Sequence, residues 1–121
     1  MTVLLVALGA SLGAPLRYLT DRAVQGRHDT VFPWGTYTVN VIGSFVLGLV
    51  VAVATLVGPG VVAAVGTGFC GALTTYSTFS YETLRLLEDR ANLYAAANVV
   101  ASVTAGLGAA VVGFAVGTAL L

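Results

Sequence analysis

Three long apolar stretches, separated by two short polar islands, make up this chain. Residues 1–16, 30–81 and 91–121 contain no charged side chain, and all ten charges fall between Arg17 and Asp29 or between Glu82 and Arg90. A helix crosses the bilayer with about 20 apolar residues. The middle stretch has more than twice that, with Gly58-Pro59-Gly60 placed to divide it. The pattern therefore predicts four transmembrane helices, near Thr2–Thr20, Gly35–Leu56, Val61–Tyr81 and Asn92–Leu120. Val and Ile are frequent, but the stretches are too long, and alternate too little, for strands. The expected fold is all-α, with residues 1–121 forming a single four-helix unit.

Composition agrees. Of 121 residues, 58% are hydrophobic and 8% charged, against about a quarter charged in a soluble domain, which makes this an integral membrane protein. The first stretch does not read as a cleaved signal, because no Lys or Arg precedes it and no soluble domain follows. Cys70 is the single cysteine, so no internal disulfide forms, and no Cys/His metal cluster is visible. His28, beside Asp29, reads as a solvated loop histidine. No nucleophile has a base partner and no phosphate-binding glycine loop precedes a Lys, so neither an enzyme nor an ATP-driven pump is expected, and no nucleic acid partner.

An even number of spans puts the loops after the first and third helices on one side. All five arginines, Arg17, Arg22, Arg27, Arg85 and Arg90, lie at or near that side. The positive-inside rule makes these loops cytoplasmic and both termini external. Small residues recur at four-residue spacing in Gly9-xxx-Gly13, Ser44-xxx-Gly48 and Ala109-xxx-Gly113-xxx-Gly117, a spacing that lets helix backbones approach closely. Four short helices enclose too little volume for an aqueous path through one copy, so an assembly is expected.

Polar groups inside the spans are costly and need a reason. Asn40 sits in the second helix among Thr36, Tyr37, Thr38, Gly43 and Ser44. Two readings stand for it: an interhelical hydrogen bond, or an NH2 donor aimed at an ion path. In the fourth helix Tyr94, Asn98 and Ser102 share one face. All three can donate hydrogen bonds and none is charged, which suits either packing on a neighbour or an anion that must shed water. The segment Gly66–Ser80 is glycine-rich and hydroxyl-rich. Its glycines weaken the helix and its hydroxyls compete for the backbone, which predicts an interruption around Gly71–Thr75. Carbonyls freed there would suit a desolvated cation. Tyr76 and Phe79, three residues apart, share a face; they read as packing residues or as ring edges, which are electropositive, presented to a small anion.

In these residues the chain resembles the Fluc/CrcB family of fluoride channels. Gly9-Ala10-Ser11-Leu12-Gly13-Ala14-Pro15-Leu16-Arg17-Tyr18 is similar to the family's first-helix motif, and Gly35 through Phe45 to its second. Gly68 through Ser80, followed by Glu82, is similar to its third-helix signature. The resemblance implies two four-helix subunits packed antiparallel in dual topology, with fluoride pores at their interface and a structural sodium ion at the centre. Carried over, the sodium would be held by the backbone carbonyls of Gly71 and Thr74. The fluoride pathway would comprise Asn40, the box residues Tyr76 and Phe79, and the track Tyr94, Asn98 and Ser102, with Thr75 and Ser77 as further donors. Arg17 and Glu82 would lie near the pore mouths. Two departures stand out: the first box position is usually Phe, not Tyr76, and Asn98 stands where a small hydroxyl residue is commoner.

The implied function is passive, fluoride-selective export that lowers cytoplasmic fluoride, by a homodimer or by a heterodimer with an oppositely oriented paralogue. The arginine bias resembles the paired kind. The alternative is a small dual-topology exporter of cationic drugs, which would normally carry a membrane-embedded acid. None of the four predicted spans has one in its interior. A non-transporting assembly subunit would have no use for the polar track.

Overall fold

The computed structural model describes residues 1–27 and 32–120; the loop reading of His28 and Asp29 lies outside them. Six α-helices and one π-wound segment follow in order: α1 (Thr2–Gln25), α2 (Trp34–Ala52), α3 (Ala54–Val61), the π segment (Val62–Cys70), α4 (Gly71–Leu73), α5 (Tyr76–Glu88) and α6 (Asn92–Ala119). Four runs are long and apolar enough to cross a membrane: Thr2–Gln25, Trp34–Ala52, Ala54–Glu88 and Asn92–Ala119. No strand occurs among the described residues. The all-helical, four-span reading of the hydrophobic pattern holds.

The ends differ from the pattern for local reasons. α1 runs on to Gln25 and so carries part of the first polar island in helical form. Nothing in that stretch breaks a helix, and Arg22 reaches back one turn to the Tyr18 hydroxyl at 3.0 Å. α2 stops at Ala52, where Val53 leaves helical geometry, short of the expected Leu56. The chain then turns through α3, in which Gly58 adopts φ 84°, a conformation that costs glycine little. α5 continues past Tyr81 to Glu88. Arg90, with φ 60°, closes the turn into α6.

Small residues set the packing. α1 lies along the π segment, and side chains at Gly9 and Gly13 would collide with the backbone of Ala64 and Phe69. α2 pairs with α6, where Gly113 faces the Phe45 carbonyl and Gly48 faces that of Ala110. Backbone therefore meets backbone, as close packing in lipid favours. At the N-terminal end of α2, Gln25 accepts from the Gly35 N–H at 3.1 Å. Beside it, Phe32, Trp34 and Tyr37 cluster with ring centroids 4.6–6.0 Å apart, an amphipathic group of the kind that settles at a membrane–water interface.

Candidate functional site

The site begins where helical winding stops. Thr74 (ψ 159°) and Thr75 (φ −148°, ψ 117°) are extended, between α4 and α5. Three side chains hold this geometry with four hydrogen bonds. The Thr74 hydroxyl donates to the Cys70 carbonyl at 2.8 Å. Thr75 caps α5, its Oγ1 accepting the Thr78 N–H at 3.1 Å, an arrangement worth about 1 kcal/mol. Asn40 on α2 reaches across and pairs with both sides of Thr75: its Oδ1 accepts the Thr75 N–H at 2.7 Å and its Nδ2 donates to the Thr75 carbonyl at 3.1 Å. Such an approach needs room, and a side chain at Gly43 would strike Thr74 Cγ2.

These bonds change the fate of two carbonyls. In a continuous helix the Thr75 N–H would bond the carbonyl of Gly71, and the Thr78 N–H that of Thr74. Both N–H groups are given to side chains instead. Gly71 is exposed, and nothing lies within 4 Å of where its Cβ would be. Carbonyl oxygens released in this way are hard donors, matched to an alkali or alkaline-earth cation rather than to a transition metal. Among the described residues no cluster of His, Cys, Asp and Glu offers a rival metal site.

Beside the interruption an open groove of about 600 Å³ runs between α2, the π segment, α5 and α6. It brings together Asn40, Thr75, Tyr76, Phe79 and Ser102, with Gly71 and Thr74 also in its wall. No lining residue is charged. The Tyr76 and Phe79 rings stand 6.3 Å apart between centroids, at 42° to each other, and Tyr76 is 81% exposed. A second, smaller cavity of about 120 Å³ is lined by Arg17, Asp21, Thr36, Thr75 and Thr78, among others. Thr75, itself buried, forms part of both walls.

The other candidates fall outside the groove. Ser77 is exposed on the first turn of α5, 3.5 Å from Thr75 Oγ1, and Tyr94 is exposed near the start of α6. Asn98 is fully buried, its amide donating to Thr83 Oγ1 at 2.8 Å and accepting from Ser102 Oγ at 3.2 Å. Glu82 takes a short hydrogen bond from the buried Thr36 hydroxyl. Two residues at the site are not marked as site residues by the sequence: Thr36, one turn before Asn40 and noted only as its neighbour, and Thr83, one turn after Phe79. Their only signal was that spacing.

The model of the CrcB-like protein family, described as Camphor Resistance (CrcB), matches residues 4–114. The chain belongs to the CrcB family. A relative from Frankia casuarinae named fluoride-specific ion channel FluC 1 is 63% identical, over 99% of this chain and 98% of the relative. One of the same name from Streptomyces avermitilis is 63% identical over 93% of each. The protein named fluoride-specific ion channel FluC 2 from Rhodococcus jostii is 52% identical over 94% of this chain and 96% of its own. Membership of this family, with four spanning helices, makes this CrcB chain a multi-pass integral protein of the cell membrane and not an enzyme.

Proposed function

We propose that this CrcB chain is a subunit of a fluoride-selective channel that passively exports the ion. The observation that carries the reading is the uncharged groove in which Asn40, Thr75, Ser102 and the ring pair Tyr76–Phe79 converge, in a chain 63% identical to a named fluoride-specific channel. Neutral amide and hydroxyl donors replace water around a small anion without trapping it, and selectivity needs binding weak enough to release. Ring edges add positive potential without a cation. The second hydrogen of Asn40 Nδ2, left over from its bond to Thr75, is the donor best placed for the ion.

The groove is open on one side, and the reading completes it with a second subunit packed antiparallel. Gly71 and Thr74 would then turn their released carbonyls to a shared sodium ion, which when bound offsets the desolvation of an anion nearby. Arg17, beside the small cavity, and Glu82, held by Thr36, mark the approaches, with Thr75 between cavity and groove. Ser77, beside Thr75, and Tyr94, near the start of α6, are assigned to the same path. The partner is a second copy or an oppositely oriented paralogue; the arginine bias favours the paralogue.

Proteoliposomes test the function. Purified protein should pass fluoride, but neither chloride nor a cationic dye, and Phe79→Ile should cut fluoride efflux by roughly a hundredfold or more while the protein still elutes as the wild type does. Chloride passing as fast as fluoride, dye transport, or wild-type efflux from Phe79→Ile would defeat the reading. The exporter alternative calls for an acid within a span, and Glu82 does lie inside the Ala54–Glu88 run because α5 continues past Tyr81; its carboxylate is held by Thr36, however, and the groove itself is lined by no charge.

A further inference from the structure

Asn98 stands at the centre of a chain of hydrogen bonds that runs between the two walls of the groove. On α6, the Ser102 hydroxyl donates to Asn98 Oδ1 at 3.2 Å; across the seam, Asn98 Nδ2 donates to Thr83 Oγ1 at 2.8 Å; on α5, the Thr83 hydroxyl donates to the Phe79 carbonyl at 2.8 Å. Both ends of this chain, Ser102 and Phe79, line the groove, whereas Asn98 and Thr83 do not. Asn98 is 0% exposed, and no buried side-chain polar atom among the described residues lacks a partner.

This chain matters because the Asn98–Thr83 bond joins the two walls directly, whereas Asn40–Thr75 and Thr36–Glu82 tie α5 to α2. α6 lies mainly on α2, through glycines that bring backbone against backbone, and it touches α5 far less. α5 itself follows the extended pair Thr74–Thr75, so its position is not dictated by a continuous helix before it. Side-chain hydrogen bonds between helices in lipid are a small but real source of fixed geometry. A buried amide satisfied at both ends resists sliding in either direction, because each movement leaves a polar atom unpaired.

We propose that Asn98 is a specificity-setting positioning residue: it fixes the spacing between the Phe79 wall and the Ser102 wall of the groove, and the permeating anion does not touch it. The proposal rests on the fluoride-channel reading. It replaces the track role expected for Asn98 from its place on the polar face of the fourth helix. A groove of fixed width discriminates against the larger chloride ion; a groove whose walls slide apart admits it.

The test is a double-mutant cycle in proteoliposomes, with fluoride and chloride flux measured in parallel. Asn98→Leu and Thr83→Val should each lower the fluoride-to-chloride permeability ratio by roughly tenfold, the size of one lost buried hydrogen bond. The double variant should be no worse than the poorer single one. Thr83→Ser, which keeps the hydroxyl, should restore most of the ratio, and it keeps the comparison with Thr83→Val decisive if Asn98→Leu does not fold. A Thr83→Val channel with the wild-type ratio would overturn the proposal, as would losses that multiply in the double variant, or lower thermal stability with the ratio unchanged. Wild-type liposomes that pass no fluoride would instead bring down the channel reading, and this inference with it.

Discussion

Asn40 has a single amide with two demands on it. Its oxygen and one N–H hold the extended Thr75 peptide, and the other N–H is the proposed donor to fluoride. The two readings open at sequence level, interhelical bond and ion donor, are therefore compatible in one side chain. Asn40→Asp separates them from mere packing. The carboxylate can still accept from the Thr75 N–H, but it opposes the Thr75 carbonyl and puts negative charge into the groove. Fluoride efflux should fall by at least roughly tenfold, since like charge in a low-dielectric path is strongly repelled; unchanged efflux would remove Asn40 from the path. Tyr76 sets its ring 6.3 Å from Phe79 and is largely exposed, so its hydroxyl leaves the ring pair intact.

The helices depend on glycine in unequal ways. A side chain at Gly113 would meet the Phe45 carbonyl, whereas Gly108, on the same helix, has nothing within 4 Å of its missing Cβ. Gly113→Leu must push α6 away from α2 and should cost about 2 kcal/mol or more, seen as earlier thermal unfolding in detergent; Gly108→Leu serves as the matched comparison and should leave the α2–α6 pair intact. If both variants unfold alike, the crossing is not where stability resides. The same contrast explains what could be read beforehand. Small-xxx-small spacing in the sequence marked Gly9, Gly13, Gly48 and Gly113, and each lies at a backbone contact. Spacing did not give the helix ends, because Val53 and the turn before Gly58 carry no local breaker, and α1 continues through charged residues that helices accept at a membrane surface. Nor did it give the Asn98–Thr83 bond: the stripe of Tyr94, Asn98 and Ser102 was legible as a face, but which neighbour that face met depended on where α5 begins.

Taken as a molecule, the chain has one closed flank, where α1 packs on the π segment and α2 on α6, and one open flank containing the groove. Arg22, Arg27, Arg85 and Arg90 lie exposed in or beside the two polar turns, whereas Arg17 lies within α1 beside the small cavity. The positive-inside rule predicts a fixed orientation, and single cysteines in a Cys70→Ser background test it. Arg90→Cys should react with an impermeant reagent only after the cells are opened, and Leu56→Cys, at an exposed position, without opening. Equal labelling of both from outside intact cells would show insertion in both directions, and would favour a homodimer.

The Asn40–Thr75 pairing bears also on how such an assembly would form. Because the peptide at the interruption is tied within one chain, a subunit meets its partner already shaped, and association need not wait for a helix to unwind. The same preparation would make isolation costly: with Gly71 exposed, a solitary subunit would leave released carbonyl dipoles facing lipid, which gives them no partner. In the proposed assembly, newly inserted chains would therefore be driven to pair by the same carbonyls that would hold the ion.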